Sequence, residues 1–343
     1  MIVIADDITG AAEIAGIAFE AGEDVRLVCG DVTVTNGTTV IATDTRSMTE
    51  VEAIAETRRI TSSLPQQGGP LFKKTDSALR GHVVAELKTL MEATGYQRAV
   101  YLPANPSKGR IIKDGVYYIN GTPIDQTDFS FDPEFPAKTA VLRERFPDAE
   151  SKEDIQKVIA AYDDGHTLFA GAADLFEATI GTIDTIGTIG TIGTIDTIGT
   201  LFLCGSTQSK PLDLGIPVTA MPLDIYDGSK DITSWLEEAC AIYQREGSLM
   251  ITIPHRHRTG KEVAVHLRET TARLIQHLVE RQQPRQLIIE GGASTFATLR
   301  HLGWNELKVV SQLAPGVIKT KAPNGTFVIM KPGSYPWGSL FSC

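Results

Sequence analysis

Short apolar runs alternate along the chain with stretches whose apolar positions recur at helical spacing. The first run, residues 1–5, stops at Asp6-Asp7, and 9–21 then repeats small and apolar residues in the manner of a helix. The same rhythm predicts strands over 25–29, 39–42, 71–74, 99–102 and 167–170, and helices over 49–62, 83–93 and 152–162. Between 105 and 146, Pro, Gly, Asp and aromatic residues predict loops, with a hairpin turning at Asn120-Gly121. Strands then return over 201–204, 249–253 and 286–290, and helices over 232–245, 261–281 and 294–302. The tail, 308–331, predicts β-structure broken at Pro315-Gly316 and Asn324-Gly325. Strands alternating with helices imply an α/β fold in two domains, each with a mostly parallel sheet flanked by helices.

Residues 179–199 interrupt this rhythm with seven near-perfect triplets, TIG or TID. A three-residue period matches neither a helix face nor strand alternation, so the repeat predicts a connector. The expected division is a first domain over 1–178, a linker over 179–200 and a second domain over 201–343. A length of 343 residues at 42% hydrophobic content suits two cores.

Charge and cysteine usage narrow the function classes. A net charge of −10, spread without long runs, argues against a nucleic-acid partner. Cys29, Cys204, Cys240 and Cys343 form no CxxC pair, which argues against a zinc site or a disulfide framework. His255 and His257 read as a solvated loop rather than a metal site, for want of a third ligand close in sequence. No apolar stretch reaches a membrane span, and MIVIADDITG lacks the marks of a signal peptide, so a cytoplasmic protein without a membrane partner is expected.

Candidate chemistry sits where parallel sheets place ligands, at the carboxyl ends of strands. Asp6 and Asp7 follow the first strand, where one of them can bind or deprotonate a hydroxyl; the alternative is that Asp7 or Thr9 caps the helix. Asp44-Thr45-Arg46 follows another strand. The segment FKKTDSALRG puts Lys74, Thr75, Asp76, Ser77 and Arg80 on one strand-to-helix turn, and such cations suit an anionic ligand. Three polar clusters after three strands converge on one rim. In the second half, Glu290-Gly291-Gly292-Ala293-Ser294, Gly205-Ser206 and Lys331-Pro332-Gly333-Ser334 are turns of the kind that receive phosphate oxygens. Neither GxxxxGK[ST] nor GxGxxG occurs, so any nucleotide site is of another type.

Taken in order, DDITGA (6–11), TDTR (43–46), KKTDSALRG (73–81), PANPSKGR (103–110), AGAADL (170–175), GS (205–206), EGGAS (290–294), APGV (314–317) and KPGS (331–334) resemble the four-carbon acid sugar kinase family. The resemblance implies an N-terminal domain that binds a small sugar acid, a C-terminal domain that binds ATP, and reaction in the cleft between them, with Mg2+ on the phosphates. It assigns Asp6 or Asp7, Arg46, Lys74, Thr75, Asp76 and Ser77 to the substrate, with Arg80 and Arg110 assisting. Ser206, Gly291, Gly292, Ala293, Ser294 and Gly333 fall to ATP, and the base is Asp7, Asp6 or Asp76. The implied reaction is transfer of the γ-phosphoryl group to the terminal hydroxyl of threonate, erythronate or a 3-oxo analogue. A kinase for another polyol acid, and a sensor without turnover, remain the alternatives, and a homodimer is compatible with either. Two motifs depart from the family: Ala293 stands where an acidic residue is usual, and the last glycine motif is stretched to GSYPWG.

Overall fold

Strands buried on both faces form the centre of each half of the chain, as their unbroken apolar runs require. The computed structural model describes residues 1–30, 36–64, 69–132, 134–142, 146–181, 195–205, 212–254, 260–333, 335 and 337–341. The chain divides into two units, Met1–Ile186 and Gly187–Cys343.

The first unit opens with β1 (Ile2–Ala5), α1 (Ile8–Glu20), β2 (Val25–Cys29), β3 (Thr38–Ala42), α2 (Glu50–Ser62), β4 (Leu71–Lys74), α3 (Val83–Thr94) and β5 (Arg98–Leu102). An antiparallel ribbon of β6 (Arg110–Lys113), β7 (Val116–Ile119) and β8 (Thr122–Pro123) follows, then α4 (Lys152–Tyr162), β9 (Thr167–Gly171) and α5 (Ala173–Thr179). The strands of this unit's main sheet lie in the order β2-β3-β1-β4-β9-β5, with every neighbouring pair parallel. Side chains alternate across it. Ile2, Ile4 and Leu71 pack with Ile60 of α2 and with Val83, Leu87 and Leu90 of α3. On the other face Phe72 meets Phe176 of α5 edge-on at 5.2 Å. Each large apolar side chain so buried contributes about 1.5–3 kcal/mol. Helix starts follow local chemistry: Thr49 and Glu52 form a capping box at α2, and Ser151 and Asp154 do so at α4. The hairpin at Asn120-Gly121 joins β7 to β8, pairing Ile119 with Thr122.

The second unit runs β10 (Thr200–Cys204), β11 (Val218–Ala220), α6 (Leu223–Tyr226), α7 (Thr233–Glu246), β12 (Leu249–Thr252), α8 (Lys261–Gln282), β13 (Gln286–Glu290), α9 (Gly292–Leu302), β14 (Glu306–Ala314), β15 (Val317–Lys321) and β16 (Phe327–Lys331). Its strand order is β11-β12-β10-β13-β16-β15-β14, parallel as far as β16 and antiparallel beyond. Phe202, Met250, Ile288, Ile329 and Trp337 lie at the centre of its core.

Several elements have no counterpart in the sequence reading: α5, β6, β11 and α6, of 7, 4, 3 and 4 residues. Elements that short carry too few apolar positions to show a period. The triplet repeat lies mostly outside the described residues. At its ends Thr179 closes α5, and Ile195 is buried and bridges Phe341. Among the described residues no helix is long and apolar enough to cross a membrane.

Candidate functional site

In the first unit the loops that follow β1, β3, β4, β5 and β9 all leave the sheet at the carboxyl ends of parallel strands, and they bring the charged motifs together. Arg46, in the turn after β3, reaches both aspartates after β1. Its Nε and Nη2 donate to Asp6 at 3.0 and 2.9 Å, and its Nη1 and Nη2 donate to Asp7, each at 3.0 Å. Asp76 lies 3.8 Å from the same guanidinium. Asp7 also caps α1, accepting from the backbone N–H of Gly10 at 2.9 Å and from the Thr9 hydroxyl. Of the two roles that the sequence offered for Asp7, capping is the one these bonds fill, and the same carboxylate pairs with Arg46.

The three aspartates differ electrostatically. Burial pushes the Asp6 carboxyl above its ordinary pKa, and nearby Asp7 adds to this against the pull of Arg46. Burial works the same way on Asp7, but there Arg46, Lys74 and the bonds from Thr9 and Gly10 prevail and lower it. For Asp76, Arg46 and Arg80 outweigh burial and hold the carboxyl far below the usual range. Access separates them further: 2% of the Asp6 side chain is exposed, against 17% for Asp7 and 10% for Asp76.

The β4 lysines point to opposite faces. Lys73 forms a sealed ion pair with Glu86 of α3 on the far side of the sheet. Lys74 faces the rim, 3.6 Å from Glu13 of α1, and donates to the Thr75 carbonyl at 3.0 Å. Lys108 binds the same Glu13. Arg80 folds back on Asp76, with its Nε 2.7 Å away, and stands 3.6 Å from Asp132.

Arg110 differs from all of these. Its Nη1 donates to the Ser77 hydroxyl, and its guanidinium lies 5.7 Å from the ring centre of Phe129. Among the described residues it has no carboxylate partner, and its Nε is buried without a hydrogen bond. The turn that precedes it is pinned from α5: Ser107 N–H donates to the buried Asp174 carboxylate at 2.8 Å. Tyr117 of the ribbon donates to the carbonyls of Ser77 and Pro103, so the ribbon braces the turn after β4.

In the second unit, β10, β13 and β16 end side by side at Cys204, Glu290 and Lys331. Gly205 N–H donates to the Glu290 carbonyl at 3.1 Å, and Gly291 N–H to that of Lys331 at 2.9 Å. Gly291 has φ 104°, a backbone that side-chain-bearing residues avoid, and α9 starts there with Gly292, Ala293 and Ser294 in its first turn. A Cβ on Gly205 would stand 2.3 Å from the Ser294 hydroxyl, so close is the approach of the two turns. No acidic residue occupies the first turn of α9, which leaves its N-terminal dipole free to favour an anion. Gly333 follows β16. Ser206, Ser334, His255 and His257 lie outside the described residues.

Glu13, Lys108, Asp132, Asp174 and Phe129 were missed in the sequence. No motif chemistry marks them, although PANPSKGR and AGAADL hold Lys108 and Asp174. Among the described residues no group of three or more His, Cys, Asp and Glu is placed to hold a metal ion.

Comparison with known proteins extends these observations. A D-threonate kinase of Salmonella typhimurium is 30% identical over 155 residues, covering 42% of this chain and 35% of that protein. A D-erythronate kinase of Heliobacterium modesticaldum is 28% identical over 188 residues, covering 52% and 41%. The matched stretch thus spans well under half the length of these relatives. A solved structure from Haemophilus influenzae, of a family of unknown function, shares the fold at a TM-score of 0.72 and 19% identity, covering 99% of this chain and 98% of the other. Residues 1–167 match the family described as a sugar-binding N-terminal domain and residues 209–335 the one described as a nucleotide-binding C-terminal domain, and the chain belongs to the family that joins these two domains.

Proposed function

We propose that the chain is an ATP-dependent kinase that phosphorylates the terminal hydroxyl of a four-carbon sugar acid, of the threonate, erythronate or 3-oxo-tetronate type. The relatives' names support the reaction class. One observation in the chain itself carries the choice of an acid: Arg110 is the rim cation left without a carboxylate among the described residues. Arg46, Lys74, Lys108 and Arg80 are each committed to carboxylates of the chain. A half-buried guanidinium of this kind calls for an anion, and a carboxylate meets it with two charge-assisted hydrogen bonds. Arg110 therefore holds the substrate carboxylate, with Ser77, Thr75 and Lys74 lining the bed beneath it.

Asp7 takes the proton of the attacking hydroxyl. Its lowered pKa keeps it ionised at neutral pH, and it is more exposed than Asp6. Phosphoryl transfer passes through a loose transition state in which the hydroxyl needs positioning more than a strong base. Arg46 fixes Asp7 and Asp6 in place, and Asp76 orients Arg80. The turns at Gly205, Gly291–Ser294 and Gly333 surround the ATP phosphates, with the backbone N–H groups of Gly292, Ala293 and Ser294 at the start of α9 as donors. Mg2+, which is held chiefly through substrate phosphates in such sites, would arrive on the nucleotide and neutralise phosphate charge there.

The test is ADP release from Mg-ATP with D-threonate, D-erythronate, L-threonate and 3-oxo-tetronates, in the wild type and in Arg110→Gln. Turnover with one acid is expected, and the variant should raise KM for that acid by on the order of ten- to a hundredfold while KM for ATP stays within about twofold. An unchanged acid KM would refute the assignment of Arg110. The altered position at Ala293 favours the sensor as a second reading; binding of ATP and an acid without turnover would establish it.

A further inference from the structure

We propose that the sealed Glu290–Lys331 pair is a positioning device for the nucleotide, with Lys331 setting the geometry of the turns that receive the phosphates. The inference rests on the reading that the turns after β10, β13 and β16 bind ATP.

Glu290 and Lys331 are the last residues of neighbouring strands, with side chains 2% and 0% exposed. Lys331 Nζ stands 2.7 Å from Glu290 Oε1. It donates to the Pro332 carbonyl at 2.8 Å and to the Tyr335 carbonyl, and lies 4.9 Å from the ring centre of Trp337. The Cys204 thiol, at the end of the third strand, donates to Glu290 Oε2 at 3.0 Å.

The ammonium donates to two carbonyls and faces the Glu290 carboxylate as an ion pair, on a side chain with no exposed surface. Lys331 is therefore not poised to touch a ligand. Stability does not demand the pair either, because a well-packed apolar pair often replaces a buried ion pair without loss. What apolar side chains could not do is tie the carbonyls of Pro332 and Tyr335, which flank Gly333, to the strand from which Gly291 and the first turn of α9 spring. The Cys204 thiol adds the root of the Gly205 turn to the same knot. Three turns that must converge on one phosphate chain are thus anchored to a single carboxylate, and their spacing is set before the nucleotide arrives.

The experiment measures the Kd of Mg-ATP by isothermal titration calorimetry on the full chain, beside the urea midpoint of each variant. Lys331→Met combined with Glu290→Gln removes both charges together, leaving no buried ion alone. The double variant should weaken ATP binding on the order of ten- to a hundredfold, as displaced positioning groups do. Lys331→Arg should recover part of the affinity. A purely structural pair would lower the urea midpoint and leave Kd within about twofold, and that result overturns the proposal. Should the double variant not fold, Glu290→Gln alone carries the same expectation at smaller size, and an unchanged Kd in it is equally fatal. A wild type that binds no Mg-ATP would remove the proposed function itself, a failure distinct from normal wild-type binding that the variants do not disturb.

Discussion

Replacing Arg46 with Met tests the idea that this guanidinium is a structural counter-ion for Asp6 and Asp7. The substitution removes four hydrogen bonds of 2.9–3.0 Å. Asp7 keeps Thr9, Gly10 and Lys74, whereas Asp6 is almost wholly enclosed and both its Arg46 bonds go. Stripping the partner from a buried charge costs about 3–5 kcal/mol. At an m value of about 2 kcal/mol/M, the urea midpoint should fall by roughly 2 M at pH 8. The sign with pH follows from linkage. Burial already raises Asp6 in the wild type, and without Arg46 its folded pKa rises further above the unfolded value. The folded variant then binds a proton that the unfolded chain does not, so its stability is highest in acid and is lost as pH rises through the folded pKa. The deficit against the wild type should therefore shrink from pH 8 to pH 5, as followed by far-UV circular dichroism in urea. A loss below about 1 kcal/mol at pH 8, or one that grows towards acid, would refute the argument.

In the wild type the dominant trend should be the opposite. Asp7, Glu13 and Asp76 have folded pKa values below their unfolded ones, so the stability they contribute is present above about pH 4 and lost as pH falls through the folded values, with Asp6 opposing; urea midpoints that stay flat from pH 6 to pH 3 would contradict this. Gly205→Ala should destabilise the second unit by about 1–3 kcal/mol, because the new methyl would meet the Ser294 Cβ at 2.7 Å and the Glu290 carbonyl at 2.9 Å; calorimetric melting that matches the wild type would show that the turns have room.

The repeating strand and helix pattern was readable because each strand has a short apolar run between polar turns: 25–29, 71–74 and 286–290 fall where the structure has them. The charged rim was readable as a set of motifs but not as a set of pairs. The family resemblance assigns Arg46 to the substrate, and only folding shows that its partners come from its own chain, 39 and 40 residues away. Lys108 and Glu13 are 95 residues apart, and no local signal joins them. Such long-range pairing leaves no period in the sequence. It is also what isolates Arg110, since a vacancy can be recognised only after the other cations have been matched.

Lys73 and Lys74 look interchangeable in a string of letters, yet the pleat of β4 sends one to Glu86 and the other to Glu13. In a set of relatives the two positions should drift independently, residue 73 in step with residue 86 and residue 74 in step with residue 13. Two identical neighbours thus belong to separate lineages of constraint, one tied to the hidden side of the sheet and the other to the rim where the charged loops gather.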